Sequence, residues 1–84
     1  MKYLAKIDIL PLKDLLDPQG KTIANNLSQI DVSSVTDVRV GKHIELYLTS
    51  QSKADAAQEV EQACSKLLVN PIMESYTYEI AELN

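Results

Sequence analysis

Tryptophan and phenylalanine are absent, four tyrosines are the whole aromatic complement, and cysteine, histidine and arginine each occur once. A single cysteine excludes an internal disulfide, and one cysteine with one histidine excludes a zinc site built from Cys and His alone. With no Trp or Phe to anchor it, the interior must be filled by Ile, Leu and Val. Glycine and proline are scarce, two and three residues respectively, which leaves no linker or low-complexity stretch. No apolar run is long enough for a signal peptide or a membrane span, and Met1–Leu10 alternates in polarity, so a cytoplasmic location with no membrane partner is expected.

What is present is the composition of a packed globule, 45% hydrophobic and 24% charged over 84 residues. That length fits one domain over residues 1–84. A chain this short buries only about 60% of the surface it exposes when unfolded, and with disulfide and zinc excluded, self-association as a dimer or tetramer is the remaining source of stability. The net charge of -4 argues against a nucleic-acid partner, since phosphate neutralisation needs clustered Lys and Arg. The charge is uneven. Residues 1–42 carry six basic and five acidic side chains, and residues 43–84 carry two and seven, an asymmetry able to orient the chain on a partner.

Tyr3, Ala5, Ile7 and Ile9 alternate with Lys2, Lys6 and Asp8, the period of a half-buried strand that Pro11 ends. Asp17-Pro18-Gln19-Gly20 reads as a type I turn or a helix start, with Asp17 as N-cap and Pro18 in the first helical position. In the helix that follows, Ile23, Ala24, Leu27 and Ile30 form one stripe, expected to face a sheet. Val35, Val38 and Val40 suggest a second strand before a hairpin turn at Gly41-Lys42. In the third, Ile44, Leu46 and Leu48 alternate with His43, Glu45, Tyr47 and Thr49. Ser52 caps a long helix with Asp55 three residues on. Its buried stripe is read as Ala56, Ala57, Val60, Ala63, Cys64, Leu67 and Leu68. Asn70-Pro71 supplies the stop, Asn tolerating a left-handed cap, and a last strand runs from Ile72 to Ile80.

The order is β-α-β-β-α-β. It predicts an α+β, two-layer, ferredoxin-like domain of two right-handed βαβ-like halves, with a four-stranded sheet and two helices on one face. The other face and the sheet edges are left open for a second copy, so oligomerisation would extend the sheet.

No chemical constellation stands out. Cys64 falls on the apolar stripe of a helix, where a free cysteine behaves as a small hydrophobe. His43 lies on the polar alternation of its strand without an evident acid–base partner, which favours an exposed or interface role. Gly41-Lys42 lacks the upstream glycine of a phosphate loop, where Thr36 stands instead, and His43 takes the place of its Ser/Thr. Glu59 and Glu61 point in different directions on a helix and read as a solvated face. Gly20 is the exception, because glycine in a first helical turn costs about 0.5–1 kcal/mol relative to alanine. A close backbone approach there would compensate.

Leu16-Asp17-Pro18-Gln19-Gly20-Lys21, Val38-Arg39-Val40-Gly41-Lys42-His43-Ile44-Glu45-Leu46 and Cys64-Ser65-Lys66-Leu67-Leu68-Val69-Asn70-Pro71, in this order and at this spacing, resemble the PurS family, the small subunits of phosphoribosylformylglycinamidine synthase. The resemblance spans nearly the whole chain. It departs after the first helix, where the family tends to have Leu-Gly and this chain has Gln29-Ile30-Asp31-Val32.

The resemblance implies a non-catalytic role in de novo purine biosynthesis. The assembly converts formylglycinamide ribonucleotide, ATP and glutamine to formylglycinamidine ribonucleotide, ADP, phosphate and glutamate. ATP and magnesium belong to the large PurL subunit and the glutaminase nucleophile to PurQ. The small subunit, which binds no cofactor, joins the two and supports ammonia passage. Partner contacts are then expected at the Asp17, Pro18, Gln19, Gly20 turn, at Arg39, Gly41, Lys42 and His43, and at Asn70 and Pro71, all in loops. Two rivals remain at this point. One is a dimeric, ferredoxin-like module that binds a small regulatory ligand. The other is an acylphosphatase-like hydrolase, for which the chain lacks a glycine-rich anion loop beside its one arginine.

Overall fold

The structure, a computed structural model, describes residues 1–83. Strand β1, Lys2–Pro11, carries the alternation through, with Tyr3, Ala5, Ile7 and Ile9 at most 2% exposed. Helix α1 spans Pro18–Gln29, strand β2 Lys42–Thr49, helix α2 Lys53–Ala63 and strand β3 Glu74–Leu83. The sheet has three strands in the order β2-β1-β3, and β1 is antiparallel to both neighbours. The fold is thus α+β.

The four-stranded prediction fails at Val35–Val40, which forms no strand. Two of its N–H groups are taken by carboxylates: Val38 donates to Asp37 Oδ1 at 2.9 Å and Val40 to Asp17 Oδ2 at 2.8 Å. Side-chain acceptors of this kind compete with a strand ladder. Without that strand there is no hairpin for Gly41-Lys42 to turn. The chain leaves β1 at one end, passes through α1 and re-enters at the same end to begin β2, which makes β1 and β2 antiparallel. The two βαβ-like halves are therefore not formed. Instead, β2 and β3 run in one direction on either side of β1, with α2 crossing between them, a split βαβ unit.

That crossover explains the core. Helix α2 lies over β1 and β3, where Val60 and Cys64 from its stripe close on Ala5, Ile7 and Ile9 and Ala56 is also buried. Each fully buried large aliphatic side chain contributes roughly 1.5–3 kcal/mol. Ser52 caps α2 as predicted, its Oγ accepting from the Asp55 N–H at 3.1 Å. The helix then widens into a π turn over Cys64–Leu68, closed by Val69 N–H to the Cys64 carbonyl at 3.0 Å. The wider turn swings Leu67 off the predicted stripe, leaving it 82% exposed, while Leu68 packs on the core and Val69 is buried. Val69 is extended, and Asp31 is the one non-glycine residue at positive φ among those described. The left-handed cap expected of Asn70 is therefore absent.

Helix α1 also departs from expectation. Its only buried residue is Gly20, Ile23 and Ile30 are exposed, and the helix projects from the end of the sheet instead of lying on it. The radius of gyration is 16.5 Å, against about 12 Å for a compact chain of this length. Its accessible surface is 6271 Å², against roughly 5,000 Å² expected for this mass.

Glu61, read from sequence as part of a solvated face, instead ties α2 to β3. Its carboxylate accepts from Tyr76 Oη at 2.6 Å and Tyr78 Oη at 2.8 Å, and the two rings stack with centroids 6.4 Å apart. Those bonds hold the Glu61 carboxyl below its usual range and push the Tyr76 phenol up to about 12. Glu61→Gln is expected to shift phenolate formation to lower pH in an absorbance titration, with Tyr76→Phe identifying the late-titrating ring. An unchanged titration in Glu61→Gln would dispose of the bridge.

Candidate functional site

Because β1 is antiparallel to both neighbours, its C-terminal end meets the N-terminal ends of β2 and β3, with Ile9 opposite Lys42 and Pro11 opposite Glu74. Three segments far apart in sequence therefore meet at one end of the sheet. They surround a cavity of about 510 Å³ lined by Asp17, Pro18, Gln19, Gly41, Lys42 and Asn70 from the predicted set, together with Leu15, Leu16, Met73 and Glu74.

Asp17 organises this end. Its Oδ1 accepts from Gly20 N–H at 2.9 Å, the N-cap bond read from the sequence, and its Oδ2 accepts from Val40 N–H at 2.8 Å. Those two N–H groups, joined by the nearby positive charge of Arg39, hold the carboxyl below its ordinary range. Pro18 stands in the first turn, where its missing N–H costs nothing. Gly20 is tight for the reason anticipated: a Cβ there would overlap the Val38 carbonyl and crowd the Asp17 carboxylate. The contact lies within the chain. Gly41 is required for the same physical reason, since a Cβ would collide with the Ile9 carbonyl, and neither glycine has positive φ.

Asn70-Pro71 opens a turn, where the sequence suggested a helix stop. Asn70 Oδ1 accepts from Ile72 N–H at 3.1 Å, and its carbonyl accepts from Met73 at 3.1 Å and Glu74 at 2.7 Å. This is the chemistry of Asp17-Pro18 repeated on a single turn, and it delays β3 from the predicted Ile72 to Glu74. Glu74 was missed from the sequence. It accepts from Asn70 N–H at 2.9 Å and lies 3.4 Å from Lys42 Nζ, and these contacts lower its carboxyl pKa in that order. The matching Asx-Pro pairs at 17–18 and 70–71 were the available signal. Pro71 itself lies outside the cavity lining.

Arg39 and His43 also stand apart from this cavity. Arg39 lines a neighbouring one. His43 is on the open face of the sheet, where the register places it opposite Asp8. It does have acidic partners: Nδ1 is 2.7 Å from Asp8 Oδ1 and Nε2 is 3.3 Å from Glu45 Oε2, while Tyr47 Oη donates to Glu45 Oε1 at 3.2 Å. Asp8 first, then Glu45, raise the imidazole pKa. The group is solvated and holds no Ser, Thr or Cys nucleophile, so it is an ion-pair cluster, not a hydrolytic triad. Cys64 is buried in the core, and burial followed by the Glu61 charge pushes its thiol up, away from reactivity. No cluster of three or more His, Cys, Asp or Glu suited to a metal occurs among the described residues, nor among them is any helix long and apolar enough to cross a membrane.

Residues 4–82 match the family model PurS, described as phosphoribosylformylglycinamidine (FGAM) synthase. The phosphoribosylformylglycinamidine synthase subunit PurS of Bacillus subtilis is 36% identical over 96% of this chain and 95% of its own length. The subunit of that name from Synechocystis is 36% identical over 96% of this chain and 81% of its own. A chain of the solved PurLQS structure from Thermotoga maritima superposes with a TM-score of 0.89 at 32% identity, covering 96% of this chain and 99% of that one.

Two predictions follow from the geometry of the sheet end and its open face. Gly20→Ala should destabilise the fold by about 1–3 kcal/mol in urea unfolding through overpacking, despite alanine's better helix propensity. Asp17→Ser, which can cap Gly20 but cannot also reach Val40, should fall between wild type and Asp17→Ala; a midpoint for Asp17→Ser equal to that of wild type would show the Val40 bond to be idle. The second concerns His43. Its pKa lies above the ordinary 6.5, so its stabilising contribution is complete below that value and is lost as pH rises through the raised one. His43→Gln should therefore differ from wild type in acid and converge with it in alkali. Ring NMR should show the pKa falling in Asp8→Asn and in Glu45→Gln.

Proposed function

The chain belongs to the PurS family, and from that membership we propose that it is the small, non-catalytic subunit of phosphoribosylformylglycinamidine synthase, joining a PurL-like synthetase to a PurQ-like glutaminase. The assembly is an ATP-dependent ligase of purine biosynthesis, converting formylglycinamide ribonucleotide and glutamine to formylglycinamidine ribonucleotide. ATP and magnesium act on the large subunit and none on this chain. The location is the cytoplasm. The observation that carries this reading is the likeness, over nearly the whole chain, to a component of a PurLQS complex.

The arrangement of side chains supports a docking role. Its most constrained loops gather at one end of the sheet around a largely apolar cavity, while its one thiol is in the core and its one imidazole is in a solvated ion-pair cluster. Partner contacts are assigned to Asp17, Pro18, Gln19, Gly20, Arg39, Gly41, Lys42, Asn70 and Pro71. His43, on the open sheet face, belongs to a separate contact.

Self-association accompanies this role. Strands β2 and β3 are both edges, and Ile23, Ile30, Leu67 and Ile72 are exposed. The surface in excess of the compact expectation, roughly 1,300 Å² per copy, is more than a standard interface takes from one partner, about 800 Å². A second copy covering it completes the sheet that one chain leaves at three strands. The rival regulatory module drew its support from the four-stranded domain, and that support goes with the missing strand.

Reconstitution tests the reading. With PurL- and PurQ-like subunits present, omission of this chain should abolish glutamine-dependent synthesis and spare ammonia-dependent synthesis. Undiminished glutamine-dependent turnover without it would refute the bridging role.

A further inference from the structure

Between α1 and the segment returning to β2 lies a second cavity, of about 330 Å³. Its lining carries three cations, Lys13, Lys21 and Arg39, and two carboxylates, Asp17 and Asp37, in a chain whose net charge is -4. Both carboxylates have commitments to backbone: Asp17 to Gly20 and Val40, and Asp37 to Val38. The chain's only arginine has no such commitment. Its Nη2 is shielded from solvent and has no hydrogen-bond partner among the described residues. A guanidinium N–H withdrawn from water without an acceptor is costly, and the side chain that carries it lines the cavity.

We propose that this cavity receives a carboxylate side chain of a partner subunit, which pairs with the Arg39 guanidinium between Lys13 and Lys21. This deepens the subunit reading above and rests on it. The charge of the lining selects the ligand class. Three cations against two anions leave one positive charge, which a carboxylate neutralises, whereas a phosphate dianion would overshoot it beside Asp17 and Asp37. The planar fork of arginine matches a carboxylate through two parallel bonds. The rim selects a protein as the source. Leu16 is 75% exposed and lines both this cavity and the neighbouring one. A free anion would leave that leucine in water, while an acidic residue carried on a protein surface covers leucine and guanidinium together. The position agrees, since sheet edges serve the second copy and this loop end is left to a different chain.

The test uses the full chain with purified PurL- and PurQ-like subunits. Arg39→Gln should weaken assembly at least tenfold, and Arg39→Lys, which keeps the charge but not the fork, should restore only part of it. Lys21→Gln, an exposed change that leaves the guanidinium in place, should weaken assembly several-fold and reduce its salt dependence. Light scattering on the isolated variants should give the wild-type mass. In the wild type, the Arg39 Nε–H resonance should become protected from exchange on adding partner and stay unprotected with inorganic phosphate. Unchanged assembly by Arg39→Gln and Lys21→Gln would overturn the proposal and leave the subunit reading standing. A loss of self-association in Arg39→Gln would overturn it in favour of a second copy as occupant, and protection by phosphate alone in favour of a free anion. Failure of the wild-type chain itself to assemble would defeat the subunit reading instead.

Discussion

The Asp17 carboxylate accepts from Gly20 at the start of α1 and from Val40 just before β2, two N–H groups twenty residues apart in sequence. Everything at the working end of the molecule depends on that shared acceptor. It aligns α1, which gains almost no hold from the sheet. It fixes the 38–41 segment where a strand ladder would otherwise be needed. The clamp also draws the two backbones together so closely that residue 20 has no room for a Cβ. A carboxylate with both oxygens bonded to backbone N–H groups stays ionised well into acid, consistent with its lowered pKa. The clamp is therefore intact throughout the neutral range.

The parts of this fold legible in the sequence were those governed by local chemistry. Tyr3, Ala5, Ile7 and Ile9 alternated correctly, Ile44, Leu46 and Leu48 marked the best strand, and Asp17-Pro18 and Ser52 marked helix starts where caps are found. What failed depended on partners distant in sequence. Val35, Val38 and Val40 have the side chains of a strand, but β propensity records fit to a neighbour more than an intrinsic backbone preference, and two of the N–H groups had already found carboxylates. The stripe of α1 was read as facing a sheet because amphipathic helices usually do. Nothing local revealed that its sheet contact would be missing within one chain. Leu67 was lost to the π turn, a change of helical period that side-chain spacing cannot announce.

For the site, six of the ten residues singled out were those whose chemistry constrains backbone: Asp17, Pro18, Gly20, Gly41, Asn70 and Pro71. Most of these converge because turns joined to one end of an antiparallel sheet have nowhere else to go. Glu74 escaped notice since a glutamate at a strand start is unremarkable until Asn70 and Lys42 are seen beside it. Of the two His43 partners, Glu45 is two residues along the same strand face, whereas Asp8 was hidden for a related reason. Asp8 is 35 residues away, and only the register of β1 with β2 brings it opposite.

A three-stranded sheet with one covering helix is a small core for a chain of this size, and the surplus surface is apolar in the places that matter, along α1 and at the exposed Leu67 and Ile72. Such a chain is stabilised by whatever covers it, because any partner that binds only the folded form shifts the folding equilibrium toward it. Self-association and docking then draw on different surfaces. The strand edges run along the sheet, while α1 and the clamped loops lie at its end, so a contact made by the edges need not displace one made by the loops. That separation suits the subunit role proposed above, with one surface symmetric where the chain meets itself and another, specific, where it meets different chains.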